Sequence, residues 1–163
     1  MKTLLMLRHA KSSWADPWMD DHDRPLKARG ERDAPRMGKF VRQQELTPDL
    51  VITSTAKRAR QTTELMAEAA QYDGEVRATR QIYHGDPEDY IEVLQRLPPK
   101  YQRVMVVGHN PGMEELLELL TGEYERMKTA TLAEIRLPID AWLDLDDTTE
   151  GTLVNLWSPR EVA

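Results

Sequence analysis

Cysteine is absent from all 163 residues, so disulfides, thiolate metal sites and a cysteine nucleophile are excluded together. That composition suits a reducing compartment, and a cytoplasmic location is expected. No apolar stretch approaches the roughly 20 residues needed to span a bilayer, so no membrane partner is expected. The opening Met1-Lys2-Thr3 and Leu4-Leu5-Met6-Leu7 are too short for a secretory leader, and Arg8, His9 and Lys11 interrupt them at once. A buried first strand explains them better. A basic excess is missing too: 22 Lys and Arg face 28 Asp and Glu, a net charge of −6. A broad electrostatic grip on nucleic acid is thereby excluded, whereas a local basic pocket is not. Nor is there an internal repeat, a low-complexity segment or a linker. One domain over residues 1–163 is expected.

What is present reads as a soluble globular chain, 40% apolar and 31% charged. Leu4 to Leu7 predicts a short buried strand, ended by the polar run from Arg8 to Ser13. Residues 12 to 27 lack periodicity and carry Trp14, Trp18, Pro17, Pro25 and several aspartates, which predicts a long loop. A helix is expected after Gly30, with Ala34, Met37, Phe40 and Val41 on one face and Pro35 near its first turn. Asp49 to Thr53 predicts a strand, and Ala56 to about Gln71 a helix. Asp86-Pro87 starts a helix to about Leu97. Arg103 to Gly108, rich in β-branched residues, is the clearest strand. Pro111 opens a helix through Leu120 that Gly122 should stop.

In the tail, Thr131 to Leu137, Ala141 to Leu145 and Thr152 to Trp157 read as strands. The acidic residues Asp144, Asp146, Asp147 and Glu150 read as a solvated connection. The alternation predicts an α/β fold: a three-layer α/β/α sandwich with a largely parallel central sheet and antiparallel edge strands from the C-terminal segment.

Ligands in such sheets collect beyond the carboxyl ends of the parallel strands. Three of the expected strands end on unusual polar residues. The first gives Arg8-His9, the second Thr53-Ser54 with Arg58 and Arg60 in the next turn, the third Gly108-His109-Asn110-Pro111-Gly112. Each has an ordinary explanation: a surface Arg-His pair, solvated arginines at a helix start, a tight turn. Repetition at three strand ends is harder to ascribe to chance. Arginine forks match phosphate oxygens, and a neutral histidine oriented through its other ring nitrogen attacks phosphorus. Positioning and electrostatics then supply most of the catalysis.

Leu7-Arg8-His9-Ala10, the segment from Ser54 to Thr62 with its R-A-x-Q-T core, and Gly108-His109-Asn110-Pro111 together resemble the histidine phosphatase superfamily, with the phosphoglycerate mutase-like fold. The short chain, Asp23-Arg24-Pro25-Leu26 and the closing Leu156-Trp157-Ser158-Pro159 resemble its SixA-type phosphohistidine phosphatases, over essentially the whole chain.

The resemblance implies His9 as nucleophile, passing through a phosphohistidine intermediate. It implies Arg8 and Arg58 as phosphate-binding arginines, His109 as the second pocket histidine, and Arg24 reaching the pocket from the long loop. Gln61 and Thr62 are expected to support the helix start. No metal or other cofactor is implied, and His9, His22, His84 and His109 show neither H-x-H nor H-E-x-x-H spacing.

Where many relatives read R-H-G and then an acidic residue, Ala10 and Lys11 stand here, which weakens a sugar-phosphate mutase reading. For a general acid, Asp20, Asp21 and Glu88 are candidates, with Asp21 preferred because its loop should return over the pocket. A departing imidazole needs less help from an acid than an alkoxide does, so phosphohistidine suits a site with a weak acid. The expected partner is therefore a phosphohistidine-bearing protein such as a phosphotransfer domain or phosphocarrier protein, met by a monomer with Trp14 and Trp18 on its docking side. The alternatives are a phosphomonoesterase for a small metabolite and a non-catalytic phosphate-binding module.

Overall fold

A computed structural model describes residues 1–162. Six strands form one sheet: β1 (Lys2–Arg8), β2 (Leu50–Ser54), β3 (Glu75–Thr79), β4 (Arg103–Gly108), β5 (Leu132–Leu137) and β6 (Thr152–Trp157). Their spatial order is β3-β2-β4-β1-β5-β6. The first four are mutually parallel, and β5 and β6 continue the sheet antiparallel beyond β1. The expected mixed sheet with antiparallel strands from the tail is what forms.

The central strands are apolar on both sides because helices cover both faces. Along β1, Leu4 and Met6 enter one hydrophobic cluster while Leu5 and Leu7 enter the other. In β4, Val104 and Val106 alternate with Met105 and Val107 in the same way, as the two-residue period of a strand requires. On one face lie α1 (Ala28–Gln43) and α2 (Lys57–Ala70), which present Ala34, Met37, Val41, Ala59 and Met66 to the sheet. On the other lie α3 (Pro87–Gln95) and α4 (Gly112–Thr121), with Tyr90, Leu94, Met113, Leu116 and Leu117. A final turn, α5 (Pro159–Val162), packs on α1. No described helix is long and apolar enough to cross a membrane.

Helix punctuation follows local chemistry. The Asp89 carboxylate accepts the Asp86 backbone N–H at 2.9 Å, with Pro87 in the first turn of α3. Gly122 ends α4 at φ 75°, and its N–H bonds the Glu118 carbonyl at 2.8 Å. Gly38 marks the close approach of α1 to α2, since a Cβ there would lie 2.1 Å from the Met66 carbonyl oxygen.

Three elements differ from expectation. Helix α1 begins at Ala28, so Gly30 and Pro35 both lie inside it and Pro35 is past the first turn. Strand β3 was not foreseen, because it is a five-residue edge strand with no buried residue, and Val76 and Ala78 alone make a weak alternation. Ala141 to Leu145 is not a strand: Trp142–Asp144 forms a 3₁₀ turn. Trp142 and Leu145, three residues apart, are both buried, and the indole N–H bonds the Tyr101 carbonyl at 2.8 Å. Apolar residues that anchor a turn imitated a strand. The acidic residues Asp144, Asp146, Asp147 and Glu150 are exposed, as expected.

Candidate active site

The parallel strands β1, β4 and β2 are neighbours, so their carboxyl ends lie side by side. Arg8 pairs with Gly108 and Thr53 with Val107. The His9 N–H then bonds the Gly108 carbonyl at 3.0 Å, holding the two chain reversals together. The His9 and His109 rings sit 5.1 Å apart between centroids. A pocket of about 270 Å³ opens there, lined by Arg8, His9, Lys11, Ser12, Trp14, Asp21, Arg24, Arg58, His84 and Thr129.

His9 is buried, and its Nδ1 lies 2.8 Å from the Ala10 carbonyl oxygen. A carbonyl only accepts, so Nδ1 carries the hydrogen and Nε2 presents a lone pair. Burial lowers the His9 pKa to about 3; the Ala10 bond opposes this, and the charges of Arg58, Arg8 and Arg24 add to it. The ring is therefore neutral at physiological pH. Thr62 fixes the next residue: its hydroxyl accepts the Ala10 N–H at 3.0 Å and donates to the Arg58 carbonyl at 2.7 Å. Gln61 accepts the Leu26 N–H at 2.8 Å and so anchors the end of the long loop. Thr62 thus bonds the first turn of its own helix, whereas Gln61 holds the loop that leads into α1 rather than the helix start expected of it.

His109 is also buried, with Nε2 2.7 Å from the Ser54 hydroxyl and Nδ1 3.5 Å from an Arg58 Nη. A guanidinium only donates, so Nδ1 is bare and Nε2–H donates to Ser54. Burial lowers this pKa to about 2, helped by His9, Arg58 and His84. His109 is thus a neutral ring here.

The arginines are held by fixed acceptors. Arg8 donates to the Met127 carbonyl at 3.0 Å, and the Asn110 amide shares that acceptor at 2.8 Å. The buried Arg8 Nε has no partner. Arg24 donates to the Ser13 carbonyl, the Ser12 hydroxyl and Asp21 Oδ1, and stacks on Trp14 with its guanidinium carbon 3.3 Å from the ring centroid. Arg58, only 3% exposed, reaches the Asp21 carbonyl at 2.6 Å and Asp21 Oδ2 at 2.9 Å. Arg8, His9, Arg58 and His109 therefore converge there with Asp21, and Arg24 joins them from its long loop.

Asp21 is the hub of this network. Oδ2 accepts from Arg58, from the Tyr83 hydroxyl at 2.7 Å and from His84 Nε2 at 3.0 Å. Partial burial alone would raise its pKa. Hydrogen bonds from Tyr83, Arg58 and Arg24 and the Arg58 charge outweigh that and hold the carboxyl well below the usual carboxylate range. An ionised Asp21 has no proton to give at neutral pH, which counts against it as the general acid the loop position suggested. Asp20 and Glu88, the other two candidates, are exposed and do not line the pocket.

Sequence reasoning missed Tyr83 and His84. They follow β3 in a turn with no recognisable motif, and His84 adopts the left-handed conformation at φ 53°. That conformation costs a non-glycine residue on the order of 1 kcal/mol, although histidine tolerates it better than most. A histidine in such a turn just before Gly85 was the one signal available. Among the described residues no group of three metal-ligating side chains comes together.

A larger groove of about 480 Å³ adjoins the pocket, sharing Arg8, Lys11 and Thr129 and adding Arg29, Glu114, Tyr124, Arg126, Met127 and Lys128.

Comparison with known proteins places the chain further. A family model of the histidine phosphatase superfamily (branch 1) matches residues 4–106. An uncharacterized chloroplastic protein of Arabidopsis thaliana is 34% identical over 155 residues, which cover 86% of this chain and 69% of that protein. A structure from Agrobacterium tumefaciens, provisionally assigned as the phosphohistidine phosphatase SixA, superposes with a TM-score of 0.83 at 29% identity, over 97% of this chain and 98% of that one. Another from Nakamurella multipartitia, with the same provisional assignment, gives 0.85 at 28% identity, over 97% and 96%.

Proposed function

Since the chain belongs to the histidine phosphatase superfamily, with its phosphoglycerate mutase-like fold, we propose that it is a single histidine phosphatase domain that removes phosphate from phosphohistidine in proteins. The observation that carries the reading is the neutral His9 ring. Its Nδ1–H is fixed on the Ala10 carbonyl and its Nε2 lone pair is free, within a pocket of arginines. Nε2 attacks phosphorus, the bond to the leaving group breaks, and a phosphohistidine forms on His9. Water then attacks that phosphorus, releases inorganic phosphate and restores the ring. Arg8, Arg24 and Arg58 hold the phosphoryl oxygens, and their fixed acceptors keep them aimed before substrate arrives. Asp21 ties Arg24 to Arg58 and so positions them.

Three features support a phosphohistidine substrate. The one candidate carboxyl that lines the pocket is held ionised, and imidazole, with a pKa of about 6.5, needs a weaker acid to depart than an alkoxide does. Trp14 and Trp18 are 72% and 92% exposed on the loop that bears Asp21 and Arg24, a surface suited to a protein partner. The two bacterial structures with the provisional phosphohistidine phosphatase assignment match nearly the whole chain.

The test presents phosphohistidine protein, phosphoserine peptide and an aryl phosphate to wild type and H9A, with excess chelator throughout. Fast loss of phosphohistidine, undiminished by chelator and abolished in H9A, is expected, with an acid-labile phosphate trapped on His9. Turnover of the aryl phosphate alone would move the substrate to small phosphate esters. Identical behaviour of wild type and H9A would overturn the nucleophile.

A further inference from the structure

The reading above leaves the leaving group without a proton donor, and the pocket wall holds a side chain with no role. Building on that reading, we propose that His84 is the general acid, with the Asp21 carboxylate as its fixed partner. His84 lines the same pocket as His9, its side chain is 54% exposed, and its Nε2 lies 3.0 Å from Asp21 Oδ2. Because two arginines and Tyr83 keep Asp21 ionised, that oxygen can only accept. Nε2 therefore carries a hydrogen that stays on the Asp21 bond, and the proton free to move belongs to Nδ1. A carboxylate that fixes an imidazole in this way sets its orientation and steadies the charged ring, as in an acid–base dyad.

Apart from Lys11, which also lines the pocket and carries a proton, the neighbours cannot take the role. His9 is the nucleophile and needs its lone pair. The only proton on His109 is committed to Ser54. The Tyr83 hydroxyl is committed to Asp21 and its pKa is raised, first by burial and then by that carboxylate. The arginines do not release protons. His84 presents its imidazole to the pocket from a left-handed backbone conformation at φ 53°.

In the first half-reaction His9 Nε2 forms the N–P bond. The bond from phosphorus to the leaving group breaks with its electron pair, and the His84 Nδ1 proton goes to the leaving group. For phosphohistidine this lets imidazole depart as the neutral ring. In the second half water attacks phosphorus and its proton passes to His84 Nδ1. The N–P bond then returns its pair to His9, and phosphate leaves.

The experiment compares wild type, H84N and H84Q on nitrophenyl phosphate, phenyl phosphate and phosphohistidine protein, with labelled phosphate trapped on His9. Asparagine tolerates the left-handed conformation, and glutamine retains a donor for Asp21; neither relays a proton. On nitrophenyl phosphate, whose leaving group needs no proton, kcat/KM is expected to stay within about threefold, and on phenyl phosphate to fall about a hundredfold. The label on His9 persists in both variants, and the high-pH limb of the wild-type profile disappears. The groups facing His84 that bear on that limb are Asp21, His109, Tyr83, Arg58 and Arg80. An equal loss on every substrate, or none on any, overturns the proposal while the phosphatase reading stands. A dependence on leaving group that steepens in K11Q instead also overturns it, by assigning the proton to Lys11. Absence of label on wild-type His9 overturns both.

Discussion

Two cationic recesses adjoin at the same end of the sheet, and they hold their charges differently. In the pocket, Arg24 and Arg58 are 6% and 3% exposed and each is tied to Asp21. In the groove, Arg29, Arg126 and Lys128 stand in solvent, Glu114 is the one acidic side chain in the lining, and its carboxylate is occupied by the Met127 N–H at 2.7 Å. Arg8, Lys11 and Thr129 belong to both. A desolvated charge needs fixed partners and repays them with a preset direction, whereas an exposed charge acts through a field that salt screens within about 10 Å. The pocket can therefore stabilise a transition state, and the groove can at most attract an anion.

The largest effect separating the two should come from R58A. It removes a phosphate fork and leaves Asp21 with one strong donor fewer, so kcat/KM should fall about a thousandfold at any ionic strength. A loss that vanished with salt would place Arg58 with the groove.

The second effect is stability against pH, and it belongs to the pocket alone. His9 and His109 have folded pKa values of about 3 and about 2, below the ordinary histidine value. Above about pH 6.5 both states are neutral there and stability is intact; as pH falls further the unfolded chain binds protons that the folded chain refuses. His9 alone should cost roughly 3 kcal/mol by about pH 4, read as a falling denaturation midpoint whose slope roughly halves in H9N, where His109 still refuses its proton. A midpoint unchanged over that window would show that the pocket rings titrate normally.

The smallest effect is expected in the groove. The double variant R126Q/K128Q should change kcat/KM on an aryl phosphate by less than about threefold at low salt, and the difference should disappear near 1 M salt. A larger, salt-resistant loss would mean that the groove holds substrate directly.

Elements buried on both faces were legible. Strands β1 and β4 show as apolar runs because the helices leave neither face wet. Strand β3, at the exposed edge, carries Glu75-Val76-Arg77-Ala78-Thr79, and nothing in that run demands a strand until β2 pairs with it. The turn at Trp142 was misread because burial of an indole and a leucine three residues apart does not reveal its backbone. At the site, Arg8, His9, Arg58 and His109 announced themselves by their places after strands, and Arg24 by its loop segment. His84 did not, because its approach to Asp21 joins residues 63 positions apart.

The sequence by itself determined the order of the elements buried on both faces, the lack of thiol chemistry, and that Arg8, His9, Arg58 and His109 stand at the carboxyl end of the sheet, since period and residue type are local properties. Tertiary structure alone decided who carries which proton. His9 is neutral because it is buried among arginines, and Asp21 is ionised because donors from two arginines and a tyrosine converge on it. Protonation depends on burial and on neighbours brought from distant parts of the chain, and no local pattern encodes either.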